Sequence, residues 1–528
     1  MTHDTKTSDR SARSGPAPAP GLLRSSGLVG LMTMLSRVLG LIRDMVIARY
    51  FGAGTGADAF FVAFKIPNFL RRLFAEGAFA QAFVPVLSSY REQKSLTDVN
   101  RLVNAVAGSL GVVLLGVTLV AMLGAPVLTG VFAPGFLDDA EKFALASDML
   151  RITFPYLLLI SLTAFAGAIL NSYDRFAVPA FTPVLLNLVM IGAAIFVSPL
   201  MKTPVMALAW GVFVAGALQL FFQLPFLMRL GLLPRPTVDY RHEGVRQVLQ
   251  LMAPAIFGVS VSQINLLLDT VLASFLQTGS VSWLYYSDRL SELPLGVFGI
   301  AIATVILPNL SRKHAAASGD QFSATLDWAI RAVLLIGLPA ALALVLLAKP
   351  LIATLFYYGE VTQVDVVMSA RSLVAYALGL LAFMQIKVLA PGFFARKDTR
   401  TPVKIGIVAM VANMVFNLIL VVPLDHAGLA LATSLSAWLN AGLLWWLLRR
   451  DKAWQAQPGW LRFGGQLLVA NLALALVILY LRGPVDHWLL VGGLQRSIDM
   501  AMIVMGGALV YFLALALVGV RLRHFRLH

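Results

Sequence analysis

Residues 36–87 read SRVLGLIRDMVIARYFGAGTGADAFFVAFKIPNFLRRLFAEGAFAQAFVPVL. Two apolar stretches, each long enough for a bilayer-crossing helix of about 20 residues, carry charges that such helices ordinarily exclude. The first holds Arg37, Arg43, Asp44 and Arg49, the second Asp58, Lys65, Arg71, Arg72 and Glu76. A charge at the bilayer centre costs about 2.5–3.5 kcal/mol on insertion scales, so these side chains are expected to face a cavity or one another. Arg37 and Asp44, seven residues apart, share a helix face, with Gly40 between them permitting a kink or close approach. Bases outnumber acids here, so pairing alone leaves positive charge. An arginine fork grips phosphate bidentately and stays protonated, which makes a pyrophosphate the natural counter-ion.

Outward from this stretch the apolar theme continues with few charges. Hydrophobic residues make up 59% and charged residues 13% of 528, too little polar surface for a soluble globule. Breakers divide the chain into about fourteen spans, near 27–51, 57–88, 101–125, 149–171, 180–199, 204–228, 247–276, 280–310, 323–347, 366–393, 402–423, 427–448, 462–482 and 497–520. The expected class is an all-α polytopic membrane protein. Alternate loops collect the bases, among them Arg91, Lys94, Arg229, Arg235, Arg396, Lys397, Arg449 and Arg450, while the intervening loops are poor in base. The positive-inside rule then places both termini in the cytoplasm, and the net charge of +15 reads as topology rather than nucleic-acid binding. Residues 1–24, polar and Pro-rich, read as a disordered cytoplasmic tail before an uncleaved first span. With no cysteine, disulfides, thiolate metal sites and cysteine nucleophiles are excluded. Neither a P-loop nor a G-x-S-x-G elbow occurs, which argues against an ATP-driven pump.

A shift of about 223–225 residues aligns the chain with itself, the mark of duplicated halves. DMVIARYF from Asp44 echoes DTVLASFL from Asp269, AFVPVLS ending at Ser88 echoes VILPNLS ending at Ser311, and Pro179 falls opposite Pro402. The expected plan is an N-terminal lobe of six helices (25–229), a second six-helix lobe (230–450), a central cationic cavity between them, and two further helices in 451–528. In the eighth span YYSDRLSELP (285–294) sets Asp288 and Glu292 one turn apart and Arg289 three before Glu292, just ahead of the helix-bending Pro294. Mutual pairing to hold helices together is the plainer explanation, but buried pairs seldom outdo apolar packing. Lys387 reads as a snorkelling lysine, Arg331 and Arg371 as interfacial, and Trp445, Trp446, Trp454 and Trp460 as an aromatic belt. Asp269 has no base nearby in its own span, so it is protonated, paired from another helix, or holds a cation.

SRVLGLIRD (36–44), ADAFFVAFKIPNFLRRLFAEGAFAQAFVPVL (57–87), SVSWLYYSDRLSELPLGV (280–297) and KVLAPGFFARKDTRTPVK (387–404) closely resemble the bacterial MurJ family, within the multidrug/oligosaccharidyl-lipid/polysaccharide exporter superfamily. The resemblance covers nearly all of the chain after the tail. It implies a flippase, not an enzyme, that moves undecaprenyl-pyrophosphate-linked peptidoglycan precursor, lipid II, from the cytoplasmic to the periplasmic leaflet of the bacterial inner membrane. It also implies that the last two helices form a groove for the lipid tail. Carried over by motif, the substrate-binding residues are Arg37, Arg43, Arg71, Arg289 and Asn68, and those that gate or position are Asp44, Asp58, Glu76, Asp288 and Glu292. Some members resemble sodium-coupled carriers, and Asp269, Asn413, Asn417 and Thr433 fit that pattern, with interhelical hydrogen bonding the competing account. No other cofactor is expected. The implied partners are lipid II, membrane lipids and other cell-wall synthesis proteins, with no nucleic acid. The alternative is a flippase for another undecaprenyl-linked polysaccharide unit, whereas a drug-cation exporter would want net acid in its cavity.

Overall fold

The computed structural model describes residues 20–73, 79–316 and 318–520. Most of the expected tail, and Glu76, lie outside them. Every regular element among the described residues is helical, which satisfies the backbone within each segment where lipid offers it no hydrogen bonds. Residues 20–229 form α1 (Pro20–Phe51), α2 (Thr55–Arg71), α3 (Ala80–Gln93), α4 (Leu96–Leu123), α5 (Ala125–Phe132), α6 (Ala140–Thr153), α7 (Pro155–Ser172), α8 (Ala177–Gly192) and α9 (Met206–Arg229). Residues 243–450 form α10 (Glu243–Ser274), α11 (Ser280–Pro294), α12 (Ile300–Ala315), α13 (Gly319–Leu346), α14 (Ala348–Phe356), α15 (Gln363–Phe394) and α16 (Arg400–Arg450). The chain then adds α17 (Trp460–Arg482), the short α18 (His487–Leu490) and α19 (Gly493–Leu517).

The breaks have local causes. Pro155 opens α7 without an amide hydrogen to continue α6. Pro294 closes α11, and a wider π turn over 295–299 leads into α12. α16 holds two expected spans in one run, bent where Asp425 takes φ 49. α1 begins at Pro20, so residues 20–24 are helical rather than part of a disordered tail. Sequence periodicity passed over the short α5 and α14, too brief to cross a bilayer; their first residues are 223 apart, as are those of α4 and α13.

Among the described residues nine helical stretches are long and apolar enough to cross a membrane, the 51-residue α16 counted once. The first, second, seventh and eighth expected spans supply α1, α2 with α3, α10, and α11 with α12. α10 and α11 pack against helices of residues 20–229, including α2, α3 and α4. α17 and α19 pack on each other and reach the rest of the molecule through α13 and α14.

Candidate functional site

α1 turns Arg43 and Asp44 inward, where both are buried. Two nitrogens of Arg43 donate to Asp44 Oδ1 at 2.9 and 2.7 Å, and Nη1 donates to Asn187 Oδ1 on α8 at 3.1 Å. Asn187 in turn donates to the Ser36 carbonyl at 2.9 Å, which ties α8 to α1. From α11, Tyr285 donates its hydroxyl to Asp44 Oδ1 at 3.0 Å and accepts from Arg43 and Arg289, both at 3.1 Å. Arg289 Nε lies 3.1 Å from the second oxygen of Asp44, without hydrogen-bond alignment, and its Nη1 reaches Glu292 at 3.3 Å. One carboxylate thus holds two arginines, one from each half of the chain. Arg289, a third exposed, faces water, whereas Arg43 is locked.

This cluster borders a basin of adjoining cavities. One, of about 680 Å³, is lined by Arg37, Arg71, Arg289 and Glu292 and extends toward Val29, Asn171 and Phe176. A second adds Arg43, Asp44 and Asn68, and a third continues inward past Lys65, Arg72 and Asp288 to Asp269 and Thr433. Among the described residues six bases line the basin against four acids, so it stays net positive. Asn68 accepts from Arg71 Nε at 2.9 Å and so aims that guanidinium. The Arg37 guanidinium lies across Gly296, where any Cβ would collide with it.

At the inner end Asn417 Nδ2 donates to Asp269 Oδ1 at 2.8 Å and to Asn413 Oδ1 at 3.0 Å, and Thr433 stands 3.4 Å from Asp269 Oδ2. The expected quartet is together. Asp269 nevertheless has a basic neighbour: Lys65 of α2 lines the same cavity and acts on it electrostatically.

Asp58 stands apart from the basin. It is 1% exposed and accepts from Gly279 N at 2.8 Å, Ser282 N at 3.0 Å, Ser282 Oγ at 2.6 Å and Lys142 Nζ at 2.9 Å. Its carboxylate therefore caps the start of α11 while neutralising a buried lysine. Around it the two halves meet through main chain. Glu360 N donates to the Arg49 carbonyl at 2.9 Å, Gly135 N to Ser274 Oγ at 3.0 Å, and Tyr286 Oη to the Gly52 carbonyl at 2.5 Å. Gly52, Gly279 and Gly359 all adopt positive φ, and a Cβ on Gly279 would stand 2.8 Å from the Ala53 carbonyl. This end is sealed.

The expected substrate and positioning residues, apart from Glu76 outside the described residues and Asp58 in the seal, gather on one basin. Sequence reasoning passed over Asn187, Tyr285 and Lys142. A lone asparagine in the apolar α8 was the available signal for the first. Two of the four expected belt tryptophans have a more specific role: Trp454 and Trp460 donate to buried Asp327 at 3.2 and 2.8 Å, and Arg331 pairs with that carboxylate at 2.8 Å and lies over Trp460.

The family profile described as Lipid II flippase MurJ matches residues 47–497. A protein of Vibrio cholerae serotype O1, named probable lipid II flippase MurJ, is 50% identical, the match covering 95% of this chain and 97% of that protein. The lipid II flippase MurJ of Burkholderia cenocepacia is 46% identical over 86% of this chain and 89% of its own length. Among solved structures, a lipid II flippase MurJ in an inward closed conformation superposes with a TM-score of 0.78 at 27% identity, covering 92% of this chain and 97% of that one. An inward-facing multidrug transporter of the MATE family superposes at 0.63 with 16% identity, covering 81% of this chain and 98% of its own, a likeness of fold alone.

Proposed function

The chain belongs to the MurJ family, and from that premise we propose that it carries lipid II across the bacterial inner membrane, from the cytoplasmic to the periplasmic leaflet, by alternating access. It is a transporter and performs no bond chemistry. The observation that carries the substrate assignment is the net-positive basin beside the Arg43–Asp44–Arg289 cluster. A pyrophosphate diester is doubly anionic, and the basin holds two more bases than acids among its described residues. Arg289, a third exposed, offers its guanidinium to a phosphate in the cavity that Arg37 and Arg71 also line. As the pyrophosphate takes Arg289, Asp44 loses one of its two arginines, and a contact joining α1 to α11 is released.

The bases crowd the loops at the end toward which the basin extends, so that end is read as cytoplasmic and the Asp58 seal as periplasmic. The two six-helix lobes, 25–229 and 230–450, then rock about the basin, and α17 with α19 supplies an apolar groove for the prenyl chain, outside the duplicated unit. Asp269, Asn413, Asn417 and Thr433 are assigned to a sodium ion. The set fits a hard monovalent cation, because Asn417 Oδ1 is buried with no hydrogen-bond partner among the described residues, and turning that amide over presents it beside the Asp269 carboxylate. Other cell-wall synthesis proteins are expected to receive the delivered precursor.

The test is depletion in cells followed by measurement of leaflet distribution. Lipid II should accumulate in the cytoplasmic leaflet and reach the periplasmic one when the chain is restored. An unchanged distribution on depletion, with another undecaprenyl-linked unit retained inside, would assign the protein to that substrate instead.

A further inference from the structure

The first turn of α19 contains a cation in an expensive place. Arg496 is 4% exposed, and among the described residues its Nε and Nη1 have no hydrogen-bond partner. Nη2 donates to the Tyr357 carbonyl at 3.0 Å, and the rings of Tyr357 and Tyr358 lie 5.0 and 4.9 Å from the guanidinium carbon. Two aromatic faces and a carbonyl meet the charge in place of a carboxylate. The approach is close, since a Cβ on Gly493 would stand 2.5 Å from the Tyr358 ring. A purely apolar contact would hold α19 without the cost of desolvating a guanidinium.

The two tyrosines begin the segment that closes the sealed end. Immediately after them Gly359, at φ +60, lies so near α1 that a Cβ would stand 2.1 Å from the Arg49 carbonyl, and Glu360 N donates to that same oxygen at 2.9 Å. The Glu360 carbonyl in turn fills the space beside Gly52, whose own carbonyl receives Tyr286 of α11. A continuous set of contacts therefore runs from α19 through residues 357–360 to the α1–α2 turn and on to α11.

We propose that Arg496 is a positioning residue of transport, through which the α17–α19 pair presses the 357–360 segment onto α1 and holds the sealed end shut. The proposal rests on the alternating-access reading. Without the guanidinium, 357–360 keeps its sequence but loses the grip that fixes its tyrosines, and the closed state loses population. Because the chain has no cysteine, a single Ala53→Cys reports on this end without background; Ala53 is 9% exposed and its carbonyl abuts Gly279.

In cells, an impermeant maleimide should label Ala53→Cys on the order of tenfold faster when Arg496→Ala is added, the loss expected for a desolvated cation–π contact. Arg496→Lys, which keeps the charge but not the planar stacking, should fall between. If Arg496 only staples α19, Arg496→Ala lowers the melting temperature of the purified protein and leaves labelling at the parental rate, which overturns the proposal. Should Arg496→Ala fail to reach the membrane, Arg496→Lys decides alone: parental labelling again overturns it. If the parent chain moves no lipid II, the transport reading fails, a result separate from either labelling outcome.

Discussion

Replacing Asp58 by asparagine keeps the shape of the seal and changes only which atoms donate and accept. The carboxylate now receives three hydrogen bonds from the start of α11, at 2.8, 3.0 and 2.6 Å, and pairs with Lys142 at 2.9 Å. An amide oxygen can retain Ser282, but its Nδ2 then confronts the Gly279 amide and the Lys142 ammonium, both donors. Lys142 belongs to the same half as Asp58 but also donates to Thr278 Oγ1 of the other half at 3.4 Å, and left facing an amide it becomes a buried charge without its counter-ion. The informative variant is therefore Asp58→Asn with Lys142→Met. It forfeits one charge-assisted bond to α11 and weakens two more, and such bonds contribute about 1.5–3 kcal/mol each. A net loss of roughly 2–3 kcal/mol shifts the closed-to-open ratio by about 30- to 150-fold. Maleimide labelling of Ala53→Cys measures that ratio directly, provided labelling is slow against opening. If the double variant labels within about twofold of the parent, Asp58 does not hold the halves together and the assignment of the seal is wrong.

Arg43→Ala and Arg289→Ala should each abolish complementation of a depleted strain with protein still in the membrane, and lysine at either site should rescue only in part, because its ammonium cannot make the bidentate grip; full growth with both alanines together would remove the phosphate site. Asp269→Asn should erase a sodium-specific rise in melting temperature that the parent shows over choline, a linkage of about 2.7 kcal/mol at a hundredfold excess of ion over Kd, and equal melting of the parent in the two salts would dismiss the ion. A photo-reactive prenyl chain should label α17 and α19; labelling confined to α4–α9 would place the tail elsewhere.

The sequence disclosed the charges that line the basin because lipid makes each one conspicuous: Arg37, Arg43, Arg71 and Arg289 stand out against apolar neighbours. It could not say which side of the molecule each serves. Asp58 looks like the partner of those arginines, yet it caps α11 in the seal, since pairing across helices depends on packing that a single strand of letters does not contain. Lys142 was concealed among Asp138, Asp139 and Glu141, where a loop base looks ordinary. Asp269 seemed bare because its neighbour Lys65 comes from another helix, about 200 residues away. The short α5 and α14 escaped notice because eight or nine residues leave no readable period.

The sealed end is joined chiefly by backbone atoms and glycines, and the charges within it, Asp58 and Lys142, are themselves buried. Peptide groups do not titrate, and enclosed ion pairs are screened far less than exposed ones. A barrier built this way keeps its strength when the fluid it faces turns brackish or dilute. On the proposed orientation, the closed state is thereby insulated from changes of salt in the outer compartment.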